Sequence, residues 1–261
     1  MEQKLHTPEG VRDIYNKECE TKLALQRKLS KVLHLYGYQD IQTPTFEYYE
    51  VFRKEIGSTS TQELYKFFDR EGNILALRPD ITPSVARAAA TLFESEDMPI
   101  RLCYAGNTFI NHSSYQGRLK ENTQLGAELI GLDSVEADAE MLAMVADSLK
   151  QIGLQEFQIS LGHVDFIRSL LKAAGLGEEE SREIRALITN RNFFGIEEIL
   201  DAHEVKESVR EAFRLLPELT GGPEVLEQAM SAAPDLDAKL AVTRLQQIFR
   251  LLRLYGADDH I

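Results

Sequence analysis

Asn122-Thr123-Gln124-Leu125-Gly126-Ala127-Glu128-Leu129-Ile130-Gly131 is the most informative run in this 261-residue chain. Taken with a period of two, Leu125, Ala127 and Leu129 fall on one side of a strand, and Gln124, Gly126 and Glu128 on the other. Two readings follow from that alternation. Either an amide, a position without a side chain and a carboxylate form the floor of a polar pocket, or the strand is half exposed and its polar groups are simply solvated. A glycine inside a strand weakens it, and a bulge or a closely approaching group is the physical reason to place one there.

Working outward, residues 100–110 and 118–130 read as two long strands around a polar loop at 112–117. Just upstream, Leu77-Arg78-Pro79-Asp80-Ile81-Thr82-Pro83 joins a strand to a helix that runs to about Phe93. Asp80 and Thr82 stand where helix-capping groups belong. They also stand where they can face the same pocket as Gln124 and Glu128. Two carboxylates, a hydroxyl and an amide oxygen are the acceptors that an ammonium and an imidazole need. Arg78 and Arg87 either hold a carboxylate there or are tied up in structural ion pairs.

The remaining N-terminal elements surround this pair of strands. Residues 14–36 carry Leu23, Leu25, Leu29, Val32, Leu33 and Tyr36 near helical spacing, with Gly37 as the stop. Residues 38–41 and 44–49 read as short strands, 51–56 as a helical turn and 57–61 as a polar loop. Residues 64–69 and 74–78 flank the turn Arg70-Glu71-Gly72-Asn73, a hairpin signal. Residues 135–152 read as a helix opened by Asp133-Ser134, and 157–161 as a further strand. Phe67, Phe68, Tyr104, Phe109 and Tyr115 read as sheet core rather than as a base-stacking platform. The class is α+β: an antiparallel sheet flanked by helices. Beyond His163 the strand signal stops, and helices are expected near 164–174, 178–189, 194–200, 204–215, 222–232 and 235–254. Gly175, Gly177, Gly195, Pro217, Gly221, Gly222 and Pro234 punctuate them.

Lys and Arg number 29 against 42 Asp and Glu, a net charge of −13 that is spread over both halves. That balance weighs against gripping a phosphate backbone, so no nucleic-acid partner is expected. Cys19 and Cys103 are far apart, with no CxxC and no Cys/His spacing. This fits a reducing compartment and no local zinc motif. The six histidines show no HxH or HExxH pattern, so no metal site is expected. GxSxG, GxxxxGK[ST] and GxGxxG are absent as well. No apolar signal core opens the sequence and no run of about 18 apolar residues occurs. The expectation is a soluble, cytoplasmic protein without a membrane partner.

Several separated motifs together resemble a known family. Gly10-Val11-Arg12-Asp13 and the run from Gly37 to Glu47 resemble the opening and first signature motif of histidyl-tRNA synthetases. Leu77-Arg78-Pro79-Asp80-Ile81-Thr82 is similar to that family's LRPE segment with its threonine, and Gln124-Leu125-Gly126-Ala127-Glu128 to its QxGxE. The resemblance implies a class II aminoacyl-tRNA synthetase-like fold with an all-helical insertion. The synthetase-like core would then occupy 1–163 and the helical insertion 164–255, with 256–261 beginning a return to the core whose remainder is absent. It also implies that Asp80, Thr82, Gln124 and Glu128 bind histidine and that Pro44 lies at a dimer interface.

The departures from that family point to a second one. Where an active synthetase has FRxE, this chain reads Phe109-Ile110-Asn111-His112, although Gln116-Gly117-Arg118 follows. An isoleucine cannot offset developing phosphate charge, a kind of electrostatic group that typically contributes several kcal/mol to a transition state. Asp80 is one methylene shorter than the family's glutamate. An amino-acid pocket beside a disabled ATP site is the pattern of ATP phosphoribosyltransferase regulatory subunits. That resemblance implies a non-catalytic protein with no cofactor. Its ligand would be histidine and its partner a short-form ATP phosphoribosyltransferase catalytic subunit, and it would act as a homodimer within a hetero-oligomer in the first step of histidine biosynthesis. The competing readings are a divergent histidyl-tRNA synthetase fragment and a scaffold protein without histidine affinity.

Overall fold

A computed structural model describes residues 5–53, 60–94, 98–113 and 117–261. The chain divides into two compact units, Met1–Asp133 with Asp147–Gln155, and Ser134–Ala146 with Glu156–Ile261.

The first unit contains α1 (Asn16–Leu35), β1 (Gln39–Asp40), β2 (Phe46–Tyr48), α2 (Tyr49–Arg53), β3 (Lys66–Phe68), β4 (Ile74–Leu77), α3 (Thr82–Leu92), β5 (Ile100–Phe109) and β6 (Glu121–Ile130). Two three-stranded sheets result, in the orders β1-β5-β6 and β2-β4-β3. The long β5–β6 ladder is antiparallel and runs from Ile100↔Ile130 to Phe109↔Glu121. β1 joins it parallel to β5, with Asp40 opposite Cys103. The strands at 100–110 and 118–130 are therefore present in the expected places, trimmed at their ends. Ile81, Val85, Ile100 and Leu102 form a buried cluster joining α3 to the sheet. The smaller sheet is antiparallel throughout, and its hairpin closes where Gly72 was expected to turn the chain.

Two aromatic residues expected in the core are not buried. Phe67 is 37% exposed and Phe68 72% exposed. Aromatic side chains signal a pleated strand, not which face of it is covered. The covered face centres on Ala76, packed by Phe52 and Leu64. Phe67 instead lies edge-on to Phe46, ring centroids 5.7 Å apart, beside the exposed Tyr48. The readings for Tyr115, Gln116 and most of 54–61 fall outside the described residues.

The second unit takes the first part of α4 (Val135–Gln151), then α5 (Val164–Ala174), α6 (Glu178–Thr189), α7 (Phe193–Asp201), α8 (Glu207–Leu215), α9 (Val225–Ala232) and α10 (Leu236–Tyr255). The six helices expected after His163 all form, and amphipathic spacing explains why. Leu170, Ile184, Ile196, Leu200, Phe213 and Val242 come from five of them and meet in one core at 2% exposure or less. Ala139, Ala143 and Ala146 of α4 pack on Ile248 and Leu252 of α10, which draws that part of α4 into this unit. Side-chain caps set several helix starts, those of α7 and α10 among them: Asn192 accepts from the Gly195 amide at 3.1 Å, and Asp235 from the Ala238 amide at 2.9 Å.

The strand expected at 157–161 does not form. Its Ile159 amide donates to the His260 carbonyl at 2.6 Å, and Phe157 stacks on the His260 ring at 4.0 Å. One backbone bond to a helical turn is not a ladder, so the apolar alternation of this segment is met by packing rather than pairing.

Candidate functional site: a carboxylate with one oxygen held and one open

Antiparallel pairing places the same-face residues of β5 and β6 opposite one another. Leu102 faces Glu128, Tyr104 faces Gly126 and Gly106 faces Gln124. The gap at Gly126 is not empty. A Cβ there would stand 2.6 Å from the Tyr104 ring, so the glycine is the space into which that ring lies. From this position the Tyr104 hydroxyl reaches Glu128 Oε1 at 3.2 Å and Thr82 Oγ1 at 3.4 Å.

Thr82 is the first residue of α3, yet its hydroxyl makes no cap. It donates instead to Glu128 Oε1 at 2.7 Å. The proline that follows has no amide to satisfy, which lowers the demand for a cap at this helix start. Oε1 thus accepts from two hydroxyls, whereas no described residue donates to Oε2. Burial, with the negative charges of Glu128 and Asp80 next, pushes the Tyr104 phenol up to about 12. Tyr104 therefore remains a protonated donor at any neutral pH.

Asp80 turns one oxygen back to the Ile81 amide at 2.7 Å, so its capping role is local. Gln124 lies half-buried four residues from Glu128 on the same face of β6, and its Oε1 is a buried acceptor without a partner. Such an atom costs free energy unless something donates to it. A cavity of about 460 Å³ opens beside Thr82 and Glu128, lined also by Glu94 and by apolar groups, among them Ala86, Ala90, Phe93 and Ile130. Gln124 and Asp80 do not line it.

The two arginines separate cleanly. Arg87 is bound to Glu47 by Nε at 3.0 Å and Nη2 at 2.8 Å, the structural ion pair. Arg78 is only 7% exposed and has no carboxylate partner among the described residues. Its Nε donates to the Asn107 carbonyl at 2.7 Å and its Nη1 to the Thr43 carbonyl at 3.0 Å. Its Nη2 occupies the space that a Cβ at Gly106 would fill and makes no hydrogen bond to a described residue. Both glycines on this face thus make room for a polar side chain.

Sequence reasoning placed Tyr104 in the apolar core and missed its part here. The available signal was an aromatic residue paired directly across the ladder with a glycine. Ile110, where the sequence resemblance expects the synthetase arginine, is half-buried, donates its amide to the Lys120 carbonyl at 2.9 Å and presents no charge. His112 is held by Glu63 at 3.2 Å.

A family model described as histidyl-tRNA synthetase matches residues 10–261. The chain belongs to the histidyl-tRNA synthetase family. Two curated relatives are named ATP phosphoribosyltransferase regulatory subunit. That of Acetivibrio thermocellus is 38% identical over 260 residues, and that of Desulforamulus reducens 40% identical over 253, covering 100% and 97% of this chain. The chain spans 62% of the length of each of them. A solved structure described as an ATP phosphoribosyltransferase regulatory subunit/histidyl-tRNA synthetase from Bacillus halodurans superposes with a TM-score of 0.90 at 31% identity, covering 98% of this chain and 67% of that one. Within this family the fold is class II synthetase-like, and the two three-stranded sheets and the helices described above are its parts. No helix among the described residues is long and apolar enough to cross a membrane.

Proposed function

We propose that this chain forms part of a non-catalytic regulatory subunit of ATP phosphoribosyltransferase, which binds histidine and confers activity and feedback control on a short-form catalytic subunit. The observation that carries the reading is the asymmetric Glu128, with the unpartnered buried oxygen of Gln124 further along the same face of the strand. These are acceptors in want of a donor, and histidine brings an ammonium and ring N–H groups. Asp80 adds a second carboxylate at the edge, and Thr82 holds Glu128 in place. Arg78 Nη2, a donor lying over Gly106, suits the α-carboxylate of the same ligand. Ile110, where an aminoacylating enzyme needs an arginine, and the names of the curated relatives support the absence of aminoacylation.

The reading extends to the assembly. Pro44 lies in an interface between two copies, with exposed Phe46 and Tyr48 just after it as apolar groups for that interface to bury. The homodimer sits within a hetero-oligomer in the cytoplasm, without nucleic-acid or membrane partners. Residues 1–163 act as the synthetase-like core and 164–255 as a helical insertion, with 256–261 returning toward the core. Histidine acts by favouring a less active arrangement of the complex, which requires a coupling of about 1–3 kcal/mol.

Mixing the full-length protein with a short-form ATP phosphoribosyltransferase tests this. Activity is expected only in the mixture, suppressed by histidine. Catalytic-subunit activity indifferent to the addition would overturn the proposal. Robust pyrophosphate exchange with histidine and ATP would instead identify a divergent synthetase.

A further inference from the structure

We propose that His34, Asp40 and Cys103 form a zinc-binding site in the first unit, on the opposite face of the β5–β6 ladder from Glu128. The three residues come from three elements: the last turn of α1, β1 and β5. Successive strand residues point to opposite faces, so Cys103 turns away from the Tyr104 side. His34 Nε2 stands 3.0 Å from Asp40 Oδ2, and Cys103 Sγ donates to Asp40 Oδ1 at 3.5 Å. All the ligand atoms lie within 4.8 Å of one another.

The placement is fixed by backbone pairing rather than by surface chance. Asp40 is the parallel-ladder partner of Cys103, and the Ile41 amide donates to the Cys103 carbonyl at 2.9 Å. Cys103 is 1% exposed, whereas the side chains of His34 and Asp40 are 46% and 69% exposed. An anchored sulfur therefore sits beneath two ligands that can swing. Zinc bonds of about 2.0–2.3 Å in a tetrahedron put ligand atoms about 3.3–3.8 Å apart. Closing from the present spacing needs only rotation of the two exposed side chains toward the sulfur.

The donor set matches the ion. A neutral imidazole, a carboxylate and a thiolate carry two negative charges between them, which balance Zn²⁺, and the N/O/S mixture suits a borderline-soft cation. Binding replaces the Cys103 Sγ–H bond by an Sγ–Zn bond and releases that proton to solvent, with no change of oxidation state. The exposed side of the site leaves a fourth position for water. No local motif announces the site, because its ligands are distant in sequence and meet only through the sheet.

Cobalt(II) titration of the full-length protein is the test. A thiolate-to-cobalt band in the near ultraviolet is expected, together with visible bands that added zinc removes. Cys103→Ser should abolish the near-ultraviolet band, while Cys19→Ser leaves it. His34→Ala, a surface change that leaves the core intact, should lower zinc affinity measured against a chromophoric chelator by more than about tenfold. The absence of a thiolate band in the unaltered protein would overturn the proposal. So would its persistence in Cys103→Ser, or a zinc affinity unmoved in His34→Ala.

Discussion

At the scale of single residues, the two oxygens of Glu128 have unequal roles, and that inequality sets what each neighbouring change should do. Oε1 is occupied by Thr82 and Tyr104, so both hydroxyls orient the carboxylate rather than meet the ligand directly. Removing the phenol oxygen in Tyr104→Phe deletes one hydrogen bond of about 1 kcal/mol, or roughly fivefold in histidine affinity. Calorimetric titration reads this, and an unchanged affinity would mean that Tyr104 does not hold the carboxylate. Gly126→Ala introduces a Cβ at 2.6 Å from the same ring. The ring must move, at a cost of about 1–3 kcal/mol in unfolding free energy and with loss of its bond to Glu128. Denaturant unfolding of Gly126→Ala should show that drop, and unaltered stability would mean that the ring has somewhere else to go. Much of this arrangement was legible: Gln124, Gly126 and Glu128 share a face because a strand alternates, and Thr82 reaches Glu128 because a helix starts beside it. Tyr104 was not, since a tyrosine within an apolar run gives no sign of where its hydroxyl points. The freedom of Arg78 from carboxylates was equally invisible, because the carbonyls that hold it belong to residues 43 and 107.

At the scale of elements, periodicity spoke clearly where one face of a helix is buried and less clearly for short strands. The six helices after His163 follow from apolar spacing and their Gly and Pro boundaries, and their caps are ordinary chemistry. Segment 157–161 alternates like a strand, yet a strand exists only with a neighbour to pair with, and sequence does not display neighbours. For Phe67 and Phe68 the strand was legible but the covered face was not. The cap of α10 carries a pH prediction. The Ala238 amide holds the Asp235 carboxylate below the usual carboxylate range, with contributions from Ser169 and Lys172. A carboxylate lowered in the folded state adds stability above its unfolded value and loses it as pH falls through that range. Asp235→Asn keeps a capping oxygen but cannot titrate. Its melting temperature should therefore fall less steeply than that of the unaltered protein as pH drops through the carboxylate region. Identical acid limbs would show that the cap does not titrate with folding.

At the scale of the whole molecule, the chain carries the fold of the histidyl-tRNA synthetase family, and Ile110 stands where the sequence resemblance expects that family's arginine. Under the proposed function, the acidic balance of −13 fits a protein partner better than tRNA. The fold class could be read from the order of the motifs, because each lies on an element that the fold needs anyway. The proposed absence of aminoacylation rests on one position, Ile110, just after the end of β5. The direct measurement is a calorimetric titration of histidine, without ATP, into the full-length protein and its Glu128→Gln variant. Saturable binding is predicted for the unaltered protein, weakened more than about tenfold in the variant, as expected for losing a hydrogen bond to a charged group. Binding of equal strength in both, or none in the unaltered protein, would contradict the account.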